Sequence, residues 1–273
     1  KAVEVDGGVP TLTLTDGYTA TYVSGSGSAS HVYTWTVPAG ANIGDLDVTA
    51  INLNGCTFTV VETVTELVPE LPTDVYSLAG GKNIAIDTTA PTISSVTTSA
   101  SPGAYGAGRD IYFTVTFSEP IVCSGSPSIG LTNNAEAEFY GQPNSTSMIF
   151  LYTVGLEDDD IAALDLDTEL TLNGATIADA AGNTLDTSFP EVSLPEISID
   201  TTAPGAPVIN GVSANTTYYE AVTVTLTGLE TGCDAEYSVD GGTTWLPYSA
   251  GGFELTRNGK YNIVARQTDA AGN

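Results

Sequence analysis

The chain has 273 residues, of which 6 are Lys or Arg and 33 are Asp or Glu, giving a formal charge of −27. That balance excludes nucleic acid and anionic membrane surfaces as partners, because phosphate recognition needs cationic side chains. It leaves two sources for the acidity, the solubility of a secreted protein or the binding of cations.

The elements read as strands from one end to the other. Val3–Pro10, Thr19–Tyr22, the alternating Val32–Val37 and Ile51–Gly55 come first. The alternating Ile111–Phe117 follows, then Ser128–Leu131, Ala135–Tyr140, Met148–Val154, Leu170–Ile177 and Glu196–Ile199. Turn signals separate them: Ser-Gly-Ser-Pro, Thr-Asn-Asn, Gly-Gln-Pro-Asn, Asn-Gly and Ala-Gly-Asn. The last part carries Ala235–Trp245 and Val264–Asn273. About seven short strands at this cadence describe a β-sandwich of immunoglobulin (Ig) type. No run of 18 apolar residues marks a membrane span, and no leader follows Lys1.

Ile-Asp-Thr-Thr-Ala-Pro occurs twice, at Ile86–Pro91 and Ile199–Pro204, 113 residues apart. Such a repeat marks a tandem array, and its closing proline marks the joints. Three units are expected: 1–91, 92–204 and 205–273. Val32–Val37 aligns with Ile149–Val154, Thr19–Tyr22 with Glu136–Phe139, and Ile51–Gly55 with Leu170–Gly174. On that alignment the first unit lacks the opening strands of the second. Asp-Ala-Ala-Gly-Asn at Asp179–Asn183 returns at Asp269–Asn273, so the third unit stops one strand early. The three cysteines, Cys56, Cys123 and Cys233, fall one per unit and are expected as buried thiols.

Ile111–Pro120, Thr176–Asn183 and Ile-Asp-Thr-Thr-Ala-Pro resemble bacterial Ig-like repeats, the extender regions of very large surface adhesins. Tyr237–Trp245 with Arg266–Asn273 resembles a sister subtype. The resemblance covers the whole chain and is weakest in the first unit, where Thr57–Thr63 stands in place of Asp-Ala-Ala-Gly-Asn. It implies Ca²⁺ at or near the joints, stiffening the array.

The residues offer calcium the oxygens it needs. Asp87, Asp110 and Glu119 are assigned to the first joint, and Asp200 with Asp179 and Asn183 to the second. Glu157, Asp158 and Asp160 belong to the densest acidic run. Each also has a plainer reading, as a turn bonding its own backbone or as a solvated loop. Catalysis finds little to work with: His31 is the one histidine, and no Gly-x-Ser-x-Gly elbow occurs. Trp35 reads as core and Trp245 as an exposed ring open to sugar contact. Lys82 and Lys260, candidates for an isopeptide crosslink, sit in glycine turns that suit exposed charges. Asn144 and Asn215 head formal glycosylation sequons.

The expectation is therefore an all-β chain of tandem Ig-like sandwiches, its first and last units incomplete. Its role would be structural and non-enzymatic, in an extracellular bacterial surface protein, with neighbouring repeats of the same parent chain as partners. With linkers this short, a rod is expected. The alternative is a self-assembling filament or surface-layer subunit, completed by strand addition between copies.

Overall fold

The computed structural model describes residues 1–256 and 259–273. The fold is all-β, with several separate sheets. Among the described residues, no helix is long and apolar enough to cross a membrane. The chain divides into two compact units, Lys1–Pro91 with Ala178–Leu185, and Thr92–Ile177 with Asp186–Asn273.

The first unit holds β1 (Val3–Asp6), β2 (Thr11–Leu14), β3 (Thr19–Ser24), β4 (Val32–Thr34), β5 (Val48–Asn52), β6 (Thr57–Val60) and β7 (Thr65–Leu67). One sheet runs β4-β3-β2-β5 and another β1-β6-β7. Leu14, Ala20, Ile43 and Leu46 form the buried centre of the larger core, with Tyr18, Tyr33 and Trp35 packed partly buried against it. A smaller core gathers Val3, Cys56 and Phe58. The one α-helix of this unit, α1 (Leu78–Lys82), contains two glycines and depends on its caps. Ser77 Oγ accepts from Gly80 N, and Asp47 Oδ1 accepts from Leu78 N and Ala79 N.

In the second unit lie β8 (Ile93–Thr98), β9 (Gly103–Tyr105), β10 (Asp110–Phe117), β11 (Val122–Ser124), β12 (Ser128–Leu131), β13 (Glu136–Asn144), β14 (Ser147–Thr153) and β15 (Leu166–Thr171). After them come β16 (Thr176–Ala178), whose last residue falls in the first unit, and β17 (Ile197–Ile199). Then follow β18 (Val208–Asn210), β19 (Val222–Thr227), β20 (Asp234–Ser238), β21 (Leu246–Pro247), β22 (Phe253–Leu255) and β23 (Val264–Thr268). The main sheet runs β15-β12-β13-β14-β10-β8. β10 pairs with β14 over seven residues, from Asp110 opposite Thr153 to Thr116 opposite Ser147. Its alternation drives this placement: Ile111, Phe113, Val115 and Phe117 are buried, while Tyr112, Thr114 and Thr116 between them are half-buried. β9 and β17 pair in parallel, Gly103 to Ile197 and Tyr105 to Ile199. The six strands from β18 to β23 form two smaller sheets, β18-β19-β22 and β21-β20-β23.

The sequence repeat is a repeat of geometry. The order β5-β2-β3-β4 matches β15-β12-β13-β14, and Leu14 and Ala20 match the buried Leu131 and Ala137. Ile43 bridges Ile86 as Ile161 bridges Ile199. Leu46 N donates to Ile84 O at 2.8 Å, and Leu164 N to Ile197 O at 2.7 Å.

Several expectations are corrected. The strand expected over 170–177 is two, β15 and β16, because Asn173 and Gly174 take φ of 52° and 79° and turn the chain. β8 carries no alternating signal, since its buried Ile93 and Val96 are three apart, and its pairing with β10 shifts register between Thr116 and Phe117. Of the free cysteines only Cys56 is buried; Cys123 and Cys233 are half-exposed.

Candidate metal centre

Asp179 is the buried carboxylate of the first unit, 7% exposed. Its turn is built on Gly182, which adopts φ of 93°, a conformation that favours glycine. The turn folds the chain back so that Gly182 N and Asn183 N donate to Asp179 Oδ1 at 2.7 and 2.9 Å. Asn183 Nδ2 donates both to Asp179 Oδ2 at 2.7 Å and to the carbonyl oxygen of Asp87 at 3.1 Å. The Asn183 side chain above all, with the backbone N–H groups and against the opposing effect of burial, holds the Asp179 carboxyl below the usual range. Asp87 Oδ1 accepts from Thr89 N at 2.9 Å.

Asp87 and Asp179 each bring a carboxylate oxygen within 4.8 Å of the other. Two ligands of one calcium ion at about 2.3–2.6 Å from it lie at most about 5 Å apart. The backbone donors of the turn bond Asp179 at Oδ1, whereas Oδ2 accepts from the Asn183 amide, so acceptor capacity remains at Oδ2. The donor set is wholly oxygen, which suits calcium or magnesium and not zinc.

The second copy of the turn repeats this arrangement. Asp269 Oδ1 accepts from Ala271 N, Gly272 N and Asn273 N at 2.9, 2.8 and 3.0 Å. Asn273 Nδ2 donates to Asp269 Oδ2 at 3.0 Å and to the carbonyl oxygen of Asp200 at 2.7 Å. This corrects the sequence assignment: the turn of Asp179 and Asn183 reaches back to Asp87, and the Asp200 carbonyl takes its bond from Asn273. The signal was present in the second Asp-Ala-Ala-Gly-Asn string, which the sequence reading used only to align units.

The other expected ligands are placed differently. Asp110 Oδ1 accepts from Thr153 Oγ1, its cross-strand neighbour, at 2.6 Å. Glu119 lies just beyond β10 in the second unit. Asp160 Oδ1 accepts from Thr201 N at 2.6 Å and its Oδ2 from Thr202 Oγ1 at 2.7 Å. These bonds, led by Thr201 N, hold the Asp160 carboxyl below its usual range. Asp160 therefore tethers the repeated Asp-Thr-Thr-Ala-Pro string. Asn42 does the same in the first unit, accepting from Thr88 N and donating to Thr89 Oγ1, both at 2.9 Å. Glu157 is solvent-facing in the same loop as Asp158.

Asp158 ends a buried polar chain that sequence reasoning did not foresee. Asn133, 3% exposed, donates from Nδ2 to Tyr152 Oη at 2.8 Å. Tyr152 donates onward to Asp158 Oδ2 at 2.7 Å, and Gly155 N donates to the same oxygen at 2.7 Å. Burial first, then the bond to Asp158, pushes the Tyr152 hydroxyl well above its ordinary pKa, so it stays a donor. Among the described residues, Asn133 Oδ1 has no hydrogen-bond partner. A buried acceptor left in that state costs about 1–3 kcal/mol.

The remaining candidates have structural partners. His31 Nε2 lies 3.1 Å from Val3 O, between the rings of Tyr22 and Phe58. Trp35 packs against Tyr18 with ring centroids 5.0 Å apart. Trp245 is half-buried, and the Arg266 guanidinium covers one face of its ring at 4.1 Å. Lys82 and Lys260 are both exposed. No protein-family model and no curated protein matches the chain.

Proposed function

We propose that the chain is a non-enzymatic structural segment of an extracellular bacterial surface protein, an array of Ig-like repeats with calcium stiffening the joints. One observation carries this reading. Each Asp-Ala-Ala-Gly-Asn turn folds onto its own carboxylate and donates from its asparagine to the carbonyl of an Asp-Thr-Thr-Ala-Pro string. A device built twice from the same residues belongs to the repeat and its junction. In the first unit it leaves two carboxylates, Asp87 and Asp179, at a spacing one hard cation bridges. The charge of −27 gives such a cation a further role, offsetting repulsion among carboxylates. Neighbouring repeats of the parent chain are then the partners.

Thermal unfolding of the full chain tests this. Calcium raises the midpoint by several degrees over chelator, and Asp179→Asn removes most of the difference. Superimposable curves with calcium and with chelator refute the calcium part.

A second reading, assembly of copies by strand addition, has one observation in its favour. β14 is covered along its length by β10, whereas its counterpart β4 is the outermost strand of the first-unit sheet. Exposed strand edges accept added strands. Ordered fibres in electron micrographs of the purified chain favour this reading, and isolated single particles reject it.

A further inference from the structure

We propose that the acidic loop after β14 holds a cation of its own, of the calcium class, with Asn133 Oδ1 and Asp158 among its ligands. The site lies in the second unit, apart from Asp87 and Asp179, and stands whether or not calcium binds there.

The orientation of one buried amide is fixed by its neighbours. Asn133 is 3% exposed, and its nitrogen donates to Tyr152 Oη. The single hydroxyl hydrogen of Tyr152 is committed to Asp158 Oδ2. Turning the amide over would set its oxygen against a hydroxyl with no hydrogen left to give, so the unpartnered end is the oxygen.

The residues on either side of Asn133 are bonded to the acid-rich stretch that follows β14. Asn134 Nδ2 donates to Asp159 Oδ2 at 2.8 Å, and Thr132 exchanges bonds with Asp165, N to O at 3.0 Å and Oγ1 from Asp165 N at 2.9 Å. Asp158 itself is drawn inward, since a Cβ on Gly155 would meet its Oδ1 at 3.0 Å. Its Oδ2 takes two donors, which leaves Oδ1 as the available oxygen.

An amide oxygen without a donor accepts either a water or a cation. Charge decides between them. Glu157, Asp158, Asp159 and Asp160 are consecutive, and none of them is in an ion pair among the described residues. Water would satisfy the amide and leave the mutual repulsion of four consecutive carboxylates to solvent and their hydrogen-bond donors alone. A hard divalent cation satisfies the amide and offsets that repulsion, and carboxylate with amide oxygens is its preferred donor set.

The first unit serves as an internal control. Where the second has Asn133, Tyr152 and the run Glu157–Asp160, the first has Asp16, Trp35 and Ala39–Asn42, a segment without a carboxylate. The buried amide and the acidic run are present together in one copy and replaced together in the other.

Terbium luminescence excited through tyrosine tests the site on the full chain carrying Asp179→Asn, which separates it from the Asp87 and Asp179 proposal. Calcium should compete with terbium, and Asn133→Ala and Asp158→Asn should each weaken terbium binding at least tenfold. Asn133→Asp provides a readout that does not depend on losing a ligand. Its added charge should lower the thermal midpoint in chelator, and calcium should restore it by several degrees. Terbium binding unchanged by Asn133→Ala and Asp158→Asn, or an Asn133→Asp midpoint equally low with and without calcium, overturns the proposal in favour of a water.

Discussion

The two copies of the repeated sheet differ most in what covers them. In the second unit β14 is flanked by β10, and Phe150 and Tyr152 are buried. In the first, β4 lies at the sheet edge, and the corresponding Tyr33 and Trp35 are only partly buried. The consequence reaches into polar chemistry. A ring that stays partly exposed, as Trp35 does while packing on Tyr18, can leave its polar tip to water without an internal partner. A fully buried tyrosine needs its hydroxyl satisfied from within, and the second unit supplies Asn133 and Asp158 for the purpose. Closing a core therefore recruits a polar network that the open copy does without.

Large-to-small substitution gives the widest contrast between the copies. Phe150→Ala should cost about 3–5 kcal/mol, the usual range for a buried aromatic, read as a lowered urea midpoint. The aligned Tyr33→Ala should cost less than about 3 kcal/mol, because part of that ring is already exposed. Equal losses would mean that the two sheets are closed to the same degree in solution.

The turns, in contrast, should behave alike. Asn183→Ala and Asn273→Ala each remove two side-chain hydrogen bonds, with an expected loss of about 1–3 kcal/mol apiece. Hydrogen exchange at Gly182 and Gly272 should rise in the respective variants, and a response in one turn only would break the equivalence.

A smaller effect separates the units by pH. Asp240, held first by Ser238 and then by Thr244, has a carboxyl pulled down to about 2. A depressed folded-state pKa contributes stability that is present above the unfolded value, near 3.9, and is lost as pH falls toward 2. Asp240→Asn should flatten that part of the acid-unfolding profile of the second unit and leave the profile near neutral pH parallel to wild type.

The strands with strict alternation were legible in sequence. Ile111–Phe117 shows why, since every second side chain enters the core and the pattern is set by the pleat alone. β8 was not legible, because its register shift breaks the period. For the candidate centre, the Asp-Ala-Ala-Gly-Asn turn was legible in sequence, but the string it reaches was misassigned. Asp179 joins Asp87 because of where the intervening strands carry the chain, which no local pattern encodes. Asn133 was invisible for a related reason: one asparagine in a Thr-Asn-Asn turn reads as turn chemistry until burial shows otherwise.

The parallel pairing of β9 with β17 has a consequence for tension. Residues before Gly103 lead back to the first Asp-Thr-Thr-Ala-Pro string, and those after Ile199 lead directly into the second. Two parallel strands pulled apart by the N-terminal end of one and the C-terminal end of the other slide along their own axes. Their hydrogen bonds cross the gap between the strands, so all of them are strained at once, whereas a hairpin opened from its end surrenders them one by one. Tension that passes β8 and its pairing with β10 thus loads this short clasp in shear, the direction in which three residues per strand resist the most.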